Sequence, residues 1–237
     1  AIDPASVGPL ILEQMLDAHP GYASMDERAT LQRCIERMEA EKKEYPHDLH
    51  TLDKATADDL RQVYWTEVAK VITLAPGQQL VDKNPLNMLR LPMIVRLFPN
   101  AKIILALRHP CDVLLSCYMQ NFRSPAFMIL CSSLERLAKT YVNAMRFWIH
   151  HQALLTPDTL ILRYEDTVSD FPTQVDRISE FLGIHDRDFL AQFNAHAARK
   201  GYISTPSYSQ VGGAVNNRAV GRWRPYAGWL RPPPPLL

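Results

Sequence analysis

The chain has little of what would mark a specialised class of protein. It holds only four cysteines in 237 residues, Cys34, Cys111, Cys117 and Cys131. No two of them form a C-x-x-C pair, which argues against a zinc site or a disulfide framework. A reduced, cytoplasmic setting is the resulting expectation. Lys and Arg number 26 against 25 Asp and Glu, a formal net charge of +1. No global field therefore favours nucleic acid, and any anion site must be local. No apolar run approaches the roughly 18 residues that span a membrane, and no signal peptide is visible. There is no internal repeat, no clear domain boundary and no cluster of metal-ligand residues. Ala1-Ile2-Asp3-Pro4 lacks an initiator methionine and reads as a junction or an internal cut. What remains is ordinary: 47% hydrophobic and 22% charged residues suit a globular chain with one large α/β domain or two small ones.

The most informative stretch is Ala101–Phe122, AKIILALRHPCDVLLSCYMQNF. Ile103–Leu107 is a short continuous apolar run, as expected of a parallel strand covered on both faces. Arg108 ends it. Pro110 suits a first helical turn, where its missing N–H costs nothing, and Asp112 in that turn offsets the helix dipole. Ser116 follows one turn later on the same face, roughly 9 Å along the helix from Pro110. This layout puts a cation and a hydroxyl at the carboxyl end of a strand beside a helix N-terminus, where anions bind in open α/β sheets. A plainer reading fits the same spacing: Arg108 pairs with Asp112 to clamp the turn, and Ser116 packs the helix.

The rest alternates helices with short strands. Helices are expected over Leu10–His19, Met25–Lys43, Thr56–Ile72, Asn87–Phe98, Leu134–Leu154, Phe171–Leu182 and Arg187–Ala197, and strands over Gln79–Val81 and Thr159–Tyr164. Such alternation predicts a parallel sheet with helices on both faces. Four further features fall where they could reach the same sheet edge. Lys83, in Asp82-Lys83-Asn84-Pro85, lies just past a strand, where an ammonium can face a phosphate or a developing oxyanion. Tyr164 and Glu165 close another strand. Gly221-Arg222-Trp223 could grip a nucleotide by charge and stacking, or Trp223 could simply pin the tail. Glu27, in Asp26-Glu27-Arg28, is a candidate general base, although a carboxylate at a helix start needs no catalytic role.

As a set these pieces resemble the PAPS-dependent sulfotransferases, most closely the bacterial domains found behind tetratricopeptide repeats and then the tyrosylprotein sulfotransferases. The resemblance rests on LEQMLDAHP (Leu12–Pro20), MDER (Met25–Arg28), YPHDLHTL (Tyr45–Leu52), DKNPLN (Asp82–Asn87), LFPNAKII (Leu97–Ile104), LRHPCDVLLSCY (Leu107–Tyr118), LRYEDTVSD (Leu162–Asp170) and AVGRW (Ala219–Trp223). It implies a nucleotide-kinase-like, P-loop-type α/β fold in three layers, with a central parallel sheet. It also implies transfer of a sulfuryl group from PAPS, leaving PAP, to a hydroxyl or phenol on a small molecule or peptide, with no metal. Carried over by position, Arg108 and Ser116 would hold the donor's 3′-phosphate, and Lys83 would stabilise charge on the leaving phosphate and the sulfuryl group. Glu27 would be the base and Ser207 would assist at the phosphosulfate. Tyr164 would lie near the adenosine, with Gly221, Arg222 and Trp223 closing over the donor. A tetratricopeptide-repeat region is the implied N-terminal neighbour in a longer chain; no nucleic-acid or membrane partner is implied.

One departure matters. The family's phosphosulfate loop, P-R-S-G-T-T after a strand, falls in register on Ala5-Ser6-Val7-Gly8-Pro9-Leu10. Only the glycine is kept, and Pro9 removes a backbone donor. The chain therefore reads as a single domain over 1–237, incomplete at that loop. The alternative function is a catalytically impaired relative that binds PAP or a protein partner. A small-molecule kinase would need a Walker lysine and a magnesium-binding Ser/Thr, and neither is present.

Overall fold

In the computed structural model of the chain, the described residues are 7–122, 125–193, 217–228 and 230. Helix α1 (Val7–Asp17) leads into strand β1 (Tyr22–Asp26), then α2 (Thr30–Ala40) and α3 (Lys54–Ala69). Strand β2 (Gln79–Lys83) and a 3₁₀ turn (Pro85–Arg90) precede α4 (Leu91–Leu97), β3 (Ile103–Leu107), α5 (Pro110–Met119), α6 (Pro125–Leu130) and α7 (Leu134–Leu155). Strand β4 (Thr159–Arg163), α8 (Tyr164–Ser169), α9 (Phe171–Leu182) and α10 (Asp188–Ala191) follow, with a last 3₁₀ turn at Arg224–Tyr226.

The strands pair in parallel as β1 with β2 and β3 with β4. The fold is thus α/β with parallel pairing, as expected, but hydrogen bonds join the described strands into two pairs instead of one central sheet. Helix α1 packs on β1, β2 and β3. Its Ile11, Met15 and Leu16 share one apolar cluster with Tyr22, Val81, Ile104, Leu160 and Leu162, drawn from all four strands.

Some expected boundaries need correction: β2, expected over Gln79–Val81, runs on through Lys83, which is its last residue and not one beyond it. The spacing of Leu31, Cys34, Ile35 and Met38 predicts a helix over Met25–Lys43, and those four residues lie on its buried face. The helix begins only at Thr30, because Met25 and Asp26 belong to β1. Glu27 turns the chain between strand and helix with φ +48°, a left-handed conformation that is uncommon for a non-glycine residue. Tyr164 likewise opens α8 instead of ending β4. The last expected helix is seen over Asp188–Ala191, and its residues from 194 onward lie outside the described residues.

Strand alternation explains what each face of the first pair does. Successive side chains point to opposite faces. On β1, Tyr22 joins the α1 cluster and Met25 the cluster under α2 and α3. On β2, Val81 faces α1 and Leu80 the other side. Ser24, Asp26 and Lys83 therefore share the α1 face, and Asp82 takes the opposite one. There Asp82 accepts hydrogen bonds from Thr30 Oγ1 (3.1 Å), the Tyr64 hydroxyl (2.9 Å) and Asn87 Nδ2 (3.2 Å). Burial pushes its carboxyl above the ordinary range.

Candidate active site

The register of the first pair sets Asp26 opposite Lys83 at the strands' carboxyl ends. Lys83 Nζ forms ion pairs with three carboxylates: Asp26, Glu27 at 3.1 Å and Glu13 of α1 at 3.4 Å. The Glu27 backbone amide also donates to the Lys83 carbonyl at 2.7 Å, so the left-handed turn and the ion pair fix Glu27 twice. Burial pulls the Lys83 ammonium's pKa down, but Glu13, Glu27 and Asp26 outweigh it and leave it above the ordinary value. The sequence-derived pair of Lys83 and Glu27 is thus brought together.

Glu13 and Ser24 were not among the expected site residues. Glu13 is only 4% exposed. The Ser24 hydroxyl lies 3.2 Å from Glu13 Oε1 and 2.9 Å from Asp17 Oδ1, and the Ser24 amide donates to the same Asp17 oxygen at 3.2 Å. Glu13 Oε2 is buried and accepts no hydrogen bond. Burial pushes the Glu13 carboxyl up to about 7, against the opposing pull of Lys83. A signal was present in the sequence: Glu13 and Asp17 are four residues apart, one face of a helix, inside an otherwise apolar segment.

The second pair builds a different group. Arg108 follows β3 and is buried; its Nη2 donates to the Ala219 carbonyl at 2.6 Å, stands 3.9 Å from Asp112 Oδ1 and has its guanidinium over the Tyr164 ring at 5.6 Å. Asp112, in the first turn of α5, accepts the Gly221 amide (2.7 Å) and the Trp223 amide (3.0 Å). Gly221 has φ +71°, and a Cβ there would meet the Arg224 side chain at 3.1 Å, so the turn suits glycine. Trp223 stacks on His109 at 4.9 Å, with the planes 7° apart. His109 Nδ1 caps α5 by accepting from the Cys111 amide, and Glu165 accepts the His109 amide at 2.8 Å.

Arg108, Tyr164, Gly221 and Trp223 therefore meet around Asp112, as a clamp between the β3–α5 turn and the 217–228 segment. Ser116 lies half-buried on α5, one turn beyond Asp112, and Arg222 is exposed. Ser207 lies outside the described residues. Among the described residues no group of His, Cys, Asp and Glu is arranged to hold a metal ion, and no helix is long and apolar enough to cross a membrane.

Basic side chains, Lys83 and Arg108, thus stand at the carboxyl ends of β2 and β3, and comparison gives the family. The sulfotransferase family model matches residues 10–188, which spans α1 through the start of α10, and the chain belongs to that family. It is 27% identical over 201 residues to an uncharacterized protein of Aquifex aeolicus, covering 84% of this chain and 26% of that one. It is 26% identical over 185 residues to omega-hydroxy-beta-dihydromenaquinone-9 sulfotransferase Stf3 of Mycobacterium bovis and of Mycobacterium tuberculosis, covering 74% of this chain and 44% of each. The chain thus spans less than half the length of these curated relatives.

Proposed function

We propose that the chain transfers a sulfuryl group from PAPS to a hydroxyl or phenol acceptor. The observation that carries this reading is Lys83, set at a strand end within a sulfotransferase-family chain and bonded to Glu27. In the step, the acceptor oxygen bonds to sulfur while the bond from sulfur to the 5′-phosphate oxygen breaks. The acceptor proton passes to the Glu27 carboxylate, and PAP leaves. Such transfers run through a loose transition state with charge on the peripheral and leaving oxygens, so positioning and fixed positive charge do most of the catalysis. Lys83 supplies that charge. Arg108, Ser116 and Tyr164 serve the nucleotide end, with Gly221, Arg222 and Trp223 as the covering segment. Ser207 is proposed to assist at the phosphosulfate.

The finer fold belongs to the same reading. Helix α1 packs on strands of both pairs, which supports β1–β2 and β3–β4 as two parts of one central, nucleotide-kinase-like parallel sheet. Relatives that act on an omega-hydroxylated menaquinone make long-chain alcohols the first acceptors to try.

The test is labelled PAPS against a panel of alcohols and phenols, with Lys83→Ala as the diagnostic variant. Turnover should fall at least about 100-fold, the scale of one well-placed charge at a developing anion, while PAP affinity changes much less. Equal losses in turnover and PAP binding would make Lys83 an anchor. PAP binding by the wild-type chain without transfer to any acceptor would favour the impaired relative.

A further inference from the structure

The group around Lys83 holds more carboxylate than one ammonium can balance. With Glu13, Asp26 and Glu27 all ionised, it would carry a net charge of −2. An anionic donor would meet repulsion where the proposed function needs attraction. We infer that Glu13 is a positioning residue that takes up a proton when the donor binds, handing Lys83 from a buried carboxylate to the incoming anion. This rests on the donor reading above and adds to it a second carboxyl with a distinct task.

Hydrogen-bond arithmetic supports it. Ser24 has one hydroxyl hydrogen, yet its oxygen lies within bonding distance of both Glu13 Oε1 and Asp17 Oδ1. The shorter contact, 2.9 Å, is to Asp17. The Ser24 hydrogen serves Asp17, and two facing acceptors remain between Glu13 and Ser24 unless Glu13 itself carries a hydrogen. A protonated Glu13 donates to the Ser24 oxygen and completes the chain Glu13–Ser24–Asp17. Protonation also removes the ionic claim of Glu13 on Lys83, whose separation of 3.4 Å is the longest of the three. The proton comes from water and rests on Glu13; no donor bond is made or broken in this step.

The surroundings leave Glu13 as the group that responds. Lys83 of β2 and Asp26 of β1 are the charges acting on it, with the Ser24 hydroxyl beside it and Asp17 beyond that hydroxyl. Strand β3, also packed on α1, carries no titratable side chain over Ile103–Leu107. On α8, Glu165 is bonded to the His109 amide and Asp166 is exposed; on α10, Asp188 is exposed. Asp26 and Glu27 are both more exposed than Glu13. Burial already brings Glu13 to about 7, where a nearby anion can tip it.

The test is calorimetric titration of the whole chain with PAP, in buffers of different ionisation heat at pH 8. The wild type should take up close to one proton per PAP bound, and its affinity should fall about tenfold between pH 7 and pH 8.5. Glu13→Gln should lose both the uptake and the pH dependence while still binding. Ser24→Ala, which keeps the carboxyl and removes the oxygen that accepts the Glu13 hydrogen, should move the fall to lower pH. Unchanged proton uptake in Glu13→Gln, or a wild-type affinity flat in pH, overturns the role of Glu13 and leaves the donor reading standing. A wild-type chain that binds no PAP at any pH overturns the donor reading, and this inference with it.

Discussion

The two strand pairs end in two cations held in opposite ways. Lys83 faces three carboxylates and no backbone acceptor is needed to hold it. Arg108 lies over an aromatic ring, donates to a backbone carbonyl and has its neighbouring carboxylate committed to two amides. Excess carboxylate around an ammonium makes a group whose partners exchange as protons and anions come and go. A guanidinium and a carboxylate bound to backbone make a fixture. The first arrangement suits a residue that meets changing charge, the second a residue that holds a segment of chain in place.

The sharpest way to break this contrast is Asp112→Ala. It removes the acceptor of the Gly221 and Trp223 amides and leaves Arg108 beside a void. Loss of one partner of a buried charged pair costs about 3–5 kcal/mol. Urea unfolding should show that loss, and hydrogen exchange should show the Gly221 and Trp223 amides freed first. Protection of those amides equal to wild type would mean that Asp112 does not hold the segment.

The next effect depends on pH. The Glu13 carboxyl titrates near 7 when folded against an ordinary value of 4.5. Because the folded value is raised, the folded chain binds the extra proton between these limits, and stability falls as pH rises from about 4.5 to about 7. The full loss is about 3 kcal/mol by linkage. Glu13→Gln should flatten this slope, so that the variant gains on the wild type at pH 8 and not at pH 4. Parallel curves for the two proteins would show that Glu13 titrates normally. The smallest effect lies on the other face of β2. Thr30→Val removes one of three donors to Asp82 and should cost about 1 kcal/mol, with no change in the pH slope set by Glu13.

Much of this was legible from the residues. The buried face of α2 and the strand at Ile103–Leu107 follow from spacing, while a common site for Lys83 and Glu27 is implied only by the family resemblance. The plainer reading of Arg108, a clamp with Asp112, describes its contacts in the structure. Strand β1 was hidden because it has only five residues, Tyr22–Asp26, and runs into a helix without a glycine or proline to mark the join. Glu27 makes that turn in a backbone conformation its residue type does not announce. Glu13 was hidden for a related reason. Its partner lies on β2, seventy residues downstream, and no local pattern reports a contact that only strand pairing creates.

Asp112 also sets an order of events during synthesis. Its two amide partners lie 109 and 111 residues further along the chain. While the ribosome is still making that stretch, the turn after β3 holds a carboxylate that has Arg108 beside it but neither of its amide partners. The Lys83 group has all of its charged partners by residue 83, long before the last partner of the Asp112 clamp is made.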